Sequence, residues 1–119
     1  MQFMMMNFED EETRAERNDA AKAPAYWGAW SGYVQALREA GVMLNGNGLQ
    51  PPEAGATLRL RDGRRQVNDG PFADTKEQLG GYFIIEVPDL DTALDWAARC
   101  PAAAKGAVEL RPVLPPMNG

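Results

Sequence analysis

One stretch of the chain, DGPFADTKEQLGG, combines acidic, basic and aromatic side chains between glycines. In a catalytic interpretation, Asp69 is a general base, because a carboxylate that aromatic neighbours partly desolvate accepts a proton more readily. Phe72, together with Trp27 or Tyr82, would supply those neighbours, and Lys76 would stabilise the charge of an enolate-like product. The candidate site therefore has Asp69 as its catalytic residue and the other four as ligand-binding residues.

The same stretch also has a structural interpretation, which the sequence leaves open. Asp before Gly is turn chemistry, since glycine tolerates positive φ and the preceding carboxylate accepts backbone hydrogen bonds. The pairs Asp74/Glu77 and Thr75/Gln78 resemble a capping box on a short helical turn. In this interpretation the Asp69–Gly81 loop is a well-formed connection and has no chemistry of its own.

Composition narrows the chemistry and the partners. The chain has 119 residues and a net charge of −5, which argues against binding to nucleic-acid phosphates. It has no histidine, so we expect no metal, no histidine-based triad and no cofactor. The single Cys100 fits a reducing compartment, and no signal-like or membrane-spanning segment is present. We therefore expect one cytoplasmic domain over residues 1–119 that binds no membrane.

The apolar runs, and the glycines, prolines and capping residues that bound them, predict seven elements. They are a strand at Gln2–Phe8, a helix at Pro24–Ala40, a strand at Val42–Gly48, a hairpin turning at Asp62-Gly63, a strand at Tyr82–Val87, a helix from Asp89 to before Pro101, and a strand at Val108–Val113. The acidic stretch from Glu9 to Lys22 has no core-forming residues and is predicted to be a solvated connection, in which a partial helix is left open. This order indicates a ferredoxin-like βαββαβ α+β fold with an inserted β-hairpin, an antiparallel sheet and both helices on one face.

Two strands of this predicted sheet, Phe3–Met6 and Tyr82–Val87, are apolar on both faces. Two helices can cover only one face of the sheet, and leaving the other face wet would forfeit several kcal/mol at about 25 cal/mol per Å². A second copy of the same sheet would cover it economically. We therefore expect a homodimer whose sheets meet face to face.

Two further groups of residues have both a structural and a functional interpretation. The arginines of the hairpin could grip a carboxylate or phosphate, although arginines along a hairpin edge also keep it soluble and block strand addition. The tryptophans are assigned to the core, from which one or two could line a pocket.

Several motifs resemble the DGPF-type branch of the YCII-related family. They are DGPFADTKEQLGGYFIIEVPDLDTALDWAARCP, AGVMLNGNGL and the Glu-x-Arg-Pro at Glu109–Pro112, and together they span most of the chain. The resemblance implies ferredoxin-like subunits that pair into a dimeric α+β barrel. Similar barrels house isomerases and dehalogenating lyases that act on small cyclic or aromatic compounds. This implies a small-molecule pocket near the Asp69–Gly81 loop, which binds a metabolite or catalyses cofactor-free proton transfer.

The resemblance leaves the enzymatic question open. The broader family is suspected of activity because of a histidine and aspartate pair, and this chain offers only Asp69 as the acidic member. DGPF-type proteins are also often encoded beside extracytoplasmic-function sigma factors. That association implies a non-enzymatic accessory or regulatory role, with a sigma factor as a possible partner.

Overall fold

Four antiparallel strands form the main sheet of the structure, a computed structural model that describes residues 1–117. The elements are β1 (Gln2–Asp10), α1 (Glu11–Ala15), α2 (Ala23–Glu39), β2 (Met43–Gly48), β3 (Ala56–Arg61), β4 (Arg64–Asp69), β5 (Glu77–Glu86), α3 (Leu90–Ala98), α4 (Ala102–Lys105) and β6 (Ala107–Pro112). The strand order β2-β5-β1-β6 is the ferredoxin-like arrangement once the β3–β4 hairpin is set aside. The predicted α+β fold with an inserted hairpin is confirmed.

Alternation along the strands places the hydrophobic core between the sheet and the helices. In β1, Phe3 and Met5 are fully buried against α2, while Met4 and Met6 point to the opposite face and stay half-buried. The core consists of Phe3, Met5, Tyr33, Leu37, Phe83, Ile85, Val87, Ala93, Ala97, Cys100 and Ala102. Among residues 1–117, no helix is long and apolar enough to cross a bilayer.

The β3–β4 hairpin projects from the main sheet as a separate two-stranded unit. Asp62 and Gly63 both have positive φ, at 52° and 73°, as a two-residue type I′ turn requires. The radius of gyration is 16.3 Å, whereas a compact domain of this length would have roughly 13.5 Å. The hairpin leaves Leu58, Leu60 and Val67 exposed.

Three local predictions are wrong. The acidic stretch after the first strand is not wholly solvated, because β1 continues to Asp10 and buries Glu9 to 2% exposure. Residues 71–76 contain no helical turn. Trp27 does not pack into the core and is 47% exposed. Glu9 is buried because it extends the inward alternation of β1.

Candidate functional site

Two clefts lie beside the candidate site residues. The polar cleft, of about 1150 Å³, lies between α1, the Pro52–Ala54 turn and the Asp69–Gly81 loop. The helix–sheet cleft, of about 630 Å³, lies between α2 and the β2–β5 edge of the main sheet. Asp69 and Lys76 line the polar cleft, whereas Trp27 lines the helix–sheet cleft.

The remaining two candidates lie elsewhere. The Phe72 ring is 73% exposed and packs against the guanidinium of Arg59, 4.7 Å from Arg59 Cζ to the ring centroid. The Tyr82 hydroxyl accepts a hydrogen bond from Asn47 Nδ2 at 3.0 Å, at the β2–β5 edge of the sheet. The structure therefore brings together Asp69 and Lys76 along one cleft and does not gather all five residues.

Side-chain hydrogen bonds hold the second half of the Asp69–Gly81 loop. Gln78 Nε2 donates to the carbonyls of Ala73 and Thr75, at 2.8 and 2.9 Å. The Thr75 hydroxyl donates to the carbonyl of Glu77 at 2.7 Å. These contacts support the interpretation of this segment as a well-formed connection.

The Asp69–Gly81 stretch ends within β5, where Gly80 and Gly81 line the helix–sheet cleft. A Cβ on Gly80 would lie 3.0 Å from Glu9 Oε1 and 3.1 Å from Arg17 Nη2, so a side chain here would have to displace the ends of these two side chains by a few tenths of an ångström. The same loop therefore reaches the polar cleft at Asp69 and the helix–sheet cleft at its end.

A buried ionic cluster joins the two clefts. The Tyr26 hydroxyl donates to the Glu9 carboxylate, 2.7 Å from Oε2, and accepts a hydrogen bond from Arg17 Nε at 2.9 Å. Arg17 Nη2 lies 3.2 Å from Glu9 Oε1, and the Glu9 side chain is only 3% exposed. Burial, followed by hydrogen bonding to Glu9, raises the pKa of Tyr26 to about 12, so the phenol stays protonated.

Arg17 is the centre of this cluster. Its Nη1 donates to the carbonyl of Leu49 at 2.7 Å, and its Nη2 also donates to the carbonyl of Gly80 at 3.2 Å. Its guanidinium also lies against the Trp27 ring, 5.5 Å from the centroid. Arg17 lines both clefts, and its donors are largely committed to the protein.

The helix–sheet cleft has mainly apolar walls, formed by Trp27, Trp30, Val34, Met43 and Phe83. The Trp30 and Phe83 rings lie 6.3 Å apart at 33°, which makes part of the wall broad and aromatic. Asn7 also lines the cleft. Its side chain is buried and polar, and it does not belong to the ionic cluster. Such a cleft suits a flat, largely apolar molecule with one or two polar groups.

The single cysteine lies behind this cleft. Cys100 is buried, and its thiol donates to Asn7 Oδ1, with 3.4 Å between sulfur and oxygen. Burial raises the pKa of the Cys100 thiol to about 11, which keeps it protonated and unreactive near neutral pH.

Sequence reasoning missed Asn7, Glu9, Arg17 and Tyr26 as site residues. A signal was present for the first two, because Phe3, Met5, Asn7 and Glu9 follow the period of two that defines the inward face of β1. Tyr26 similarly precedes Tyr33 and Leu37 at the spacings of one helix face. Arg17 lies between α1 and α2, where no periodic pattern of the sequence indicates that its side chain is part of a site.

Comparison with known proteins gives a family match over almost the whole chain. The sequence profile of the YCII-related domain matches residues 1–117. The chain is also similar to Uncharacterized protein R00369 of Rhizobium meliloti (strain 1021), with 48% identity over 67 residues. That alignment covers 55% of this chain and 54% of the relative, so the chain spans about half the length of this relative.

Proposed function

This chain belongs to the YCII-related domain family, and on the geometry of its helix–sheet cleft we propose that it binds a small cyclic or aromatic metabolite there. The observation that carries this proposal is the cleft itself, whose apolar and aromatic walls surround a few buried polar groups. The proposal retains the expected location of the pocket near the Asp69–Gly81 loop, because Gly80 and Gly81 form part of its wall. The cytoplasmic location stays a prediction.

A thermal-shift screen against small neutral cyclic ketones, lactones and phenols tests this proposal. A ligand present at a hundred times its dissociation constant should stabilise the protein by roughly 2.7 kcal/mol. Ser31 is exposed and lines the cleft, so Ser31→Trp should narrow the entrance. The ligand concentration that gives the same thermal shift should then rise at least about tenfold.

Asp69→Asn is the matched control, because Asp69 lines the polar cleft. Under the proposal this variant binds the ligand as the wild-type protein does. Loss of binding in Asp69→Asn, with full binding in Ser31→Trp, would move the ligand to the polar cleft. The absence of any hit for the wild-type protein would remove the proposal.

The catalytic alternative places the substrate in the polar cleft instead and assigns cofactor-free proton transfer, of the isomerase or lyase kind, to Asp69. Lys76 lines the same polar cleft and could stabilise a developing negative charge there. If Asp69 is a base, Asp69→Asn loses turnover of a bound ligand at an unchanged melting temperature. A loss of folding in the same variant would favour the turn interpretation.

The homodimer is part of the proposal, and the outer face of the main sheet supports it. Met4, Met6, Phe8 and Ile84 lie on the face away from the helices and are half-buried in one chain. On β6 the neighbouring outer-face residues are Glu109 and Arg111, which form an ion pair. An apolar centre with a polar rim is the usual anatomy of a protein interface.

Ile84→Glu should convert this dimer into a monomer, because it places two like charges near each other in an apolar interface. Light scattering should then give 13.0 kDa for the variant and twice that mass for the wild-type protein. Leu94→Glu is the matched control, since Leu94 is 50% exposed on α3 and its variant should remain dimeric. A wild-type mass of 13.0 kDa at micromolar concentration would contradict the dimer.

An accessory role beside an extracytoplasmic-function sigma factor is the second candidate function. The observation that favours it is the projecting hairpin, on which Leu58, Leu60 and Val67 are more than half exposed. If this surface binds the sigma factor, copurification should be lost when the three residues are changed to serine. Retention of the partner by that variant, or its absence with the wild-type protein, would count against this role.

A further inference from the structure

Asn7 carries an amide at a position of β1 where the alternation of the strand predicts an apolar core side chain. The inward-facing residues of this strand begin with Phe3 and Met5, both at most 1% exposed, and continue with Asn7 at 2%. Burying an amide is unfavourable unless its donors and acceptor find partners. The partners of Asn7 therefore indicate what this position does.

Only one end of the Asn7 amide is satisfied within residues 1–117. Its Oδ1 accepts the Cys100 thiol, while no group in this part of the chain accepts a hydrogen bond from Nδ2. The nitrogen is not sealed among protein atoms either, because every fully enclosed side-chain nitrogen and oxygen there has a partner. Since Asn7 lines the helix–sheet cleft and its Nδ2 is not fully enclosed by the protein, this nitrogen is the amide atom that a ligand in the cleft can reach.

The surroundings of Asn7 select the kind of atom that would bind it. Two N–H donors call for an acceptor oxygen, and the nearby walls are the rings and aliphatic groups of Trp30, Val34 and Phe83. Of the two arginines that line the cleft, Arg17 is already paired with Glu9, whereas Arg38 is exposed on α2 and forms no ion pair within residues 1–117. At the buried Asn7 a neutral acceptor fits better than a carboxylate, because a carboxylate would lose its hydration there while the unpaired Arg38 lies on the exposed part of the lining.

We infer that Asn7 is the polar recognition group of the cleft, and that its Nδ2 donates to the carbonyl oxygen of a flat, neutral, mainly apolar ligand such as a ring ketone or lactone. This inference rests on the proposed function of the same cleft. It adds the ligand class and a specificity-determining residue, and it requires no chemical step.

The test uses two probes that differ in one oxygen, 1-tetralone and tetralin, with the full chain. Dissociation constants come from tryptophan fluorescence, since Trp27 and Trp30 line the cleft. In the wild-type protein, tetralone should bind at least as tightly as the more hydrophobic tetralin. In Asn7→Leu, which keeps the shape and removes the donors, the tetralone/tetralin affinity ratio should fall about tenfold. Asn68→Leu, on the exposed hairpin, should leave the ratio unchanged.

A second measurement needs no variant at the buried position. In ¹⁵N-labelled wild-type protein, saturating tetralone should shift the side-chain amide resonances of Asn7, and tetralin should not do so to the same extent. Binding of both probes with an affinity ratio that Asn7→Leu does not change would overturn the inference and leave the proposed function standing. If neither probe binds, both the inference and the proposed function are overturned.

Discussion

Replacing Arg17 with methionine is expected to lower the free energy of unfolding by about 3–5 kcal/mol, because it leaves the Glu9 carboxylate buried without its cation. Glu9 is 3% exposed as a side chain and has two partners, Arg17 and the Tyr26 hydroxyl. Methionine keeps much of the volume and packing of the arginine stem. It cannot donate to the carbonyls of Leu49 and Gly80, which Arg17 also holds.

Urea denaturation followed by circular dichroism measures this loss, and Arg111→Met is the matched control. Arg111 is also paired with a glutamate, Glu109, but the two side chains are 71% and 44% exposed. An exposed pair contributes at most about 1 kcal/mol, so the control should lose little stability. Equal losses in the two arginine variants would show that the Glu9 cluster is not a buried ion pair in solution.

A double-mutant cycle separates the ion pair from the rest of the cluster. Adding Glu9→Gln to Arg17→Met removes the unpaired charge, so the double variant should be more stable than Arg17→Met alone. Recovery would identify burial of the charge as the main cost. No recovery would assign the loss to the carbonyls of Leu49 and Gly80 and to packing against Trp27.

The elements that local chemistry determines could be predicted from the sequence. Asp62-Gly63 forms the expected hairpin turn because both residues can adopt positive φ. Asp89 caps α3 as expected, since its Oδ1 accepts a hydrogen bond from the Thr92 amide at 2.8 Å. The nearly continuous apolar runs at Gln2–Phe8 and Tyr82–Val87 then indicated the two strands that lie at the centre of the main sheet.

The buried ionic cluster could not be predicted, because its members meet only in the folded chain. Glu9 begins an acidic run, and a run of charges is ordinarily solvated. Its partners Arg17 and Tyr26 lie eight and seventeen residues away, across a connection whose path no local pattern determines. The inward period of β1 could indicate that Glu9 is buried, but it could not indicate what neutralises it.

The candidate site was predicted in part for a related reason. Local turn chemistry around Asp69 and Gly70 was readable, and Gly70 has the positive φ, 94°, that such a turn uses. Whether Phe72 would lie beside Asp69 depended on how the hairpin leaves the main sheet. The hairpin projects from the main sheet, and the Phe72 ring packs against the guanidinium of Arg59 in β3.

Gly106→Ala is expected to cost about 3 kcal/mol of unfolding free energy, because the junction of α4 and β6 has no room for a methyl group. A Cβ at this position would overlap the carbonyl oxygen of Phe8 and lie 3.2 Å from that of Ala102. Both neighbours are backbone atoms, so neither can rotate away. Relief requires the chain to move by about 1 Å where Ala107 begins its pairing with β1.

The same substitution at Gly28 gives a control with the opposite sign. Gly28 lies in α2, and a Cβ there would meet no heavy atom within 4 Å. Alanine is preferred over glycine in a helix by about 1 kcal/mol, so Gly28→Ala should raise the denaturation midpoint. A Gly106→Ala variant with the wild-type midpoint would mean that β6 is not held this closely against β1. Because β6 completes the edge of the main sheet, loosening it would also disturb the outer face on which the proposed dimer depends.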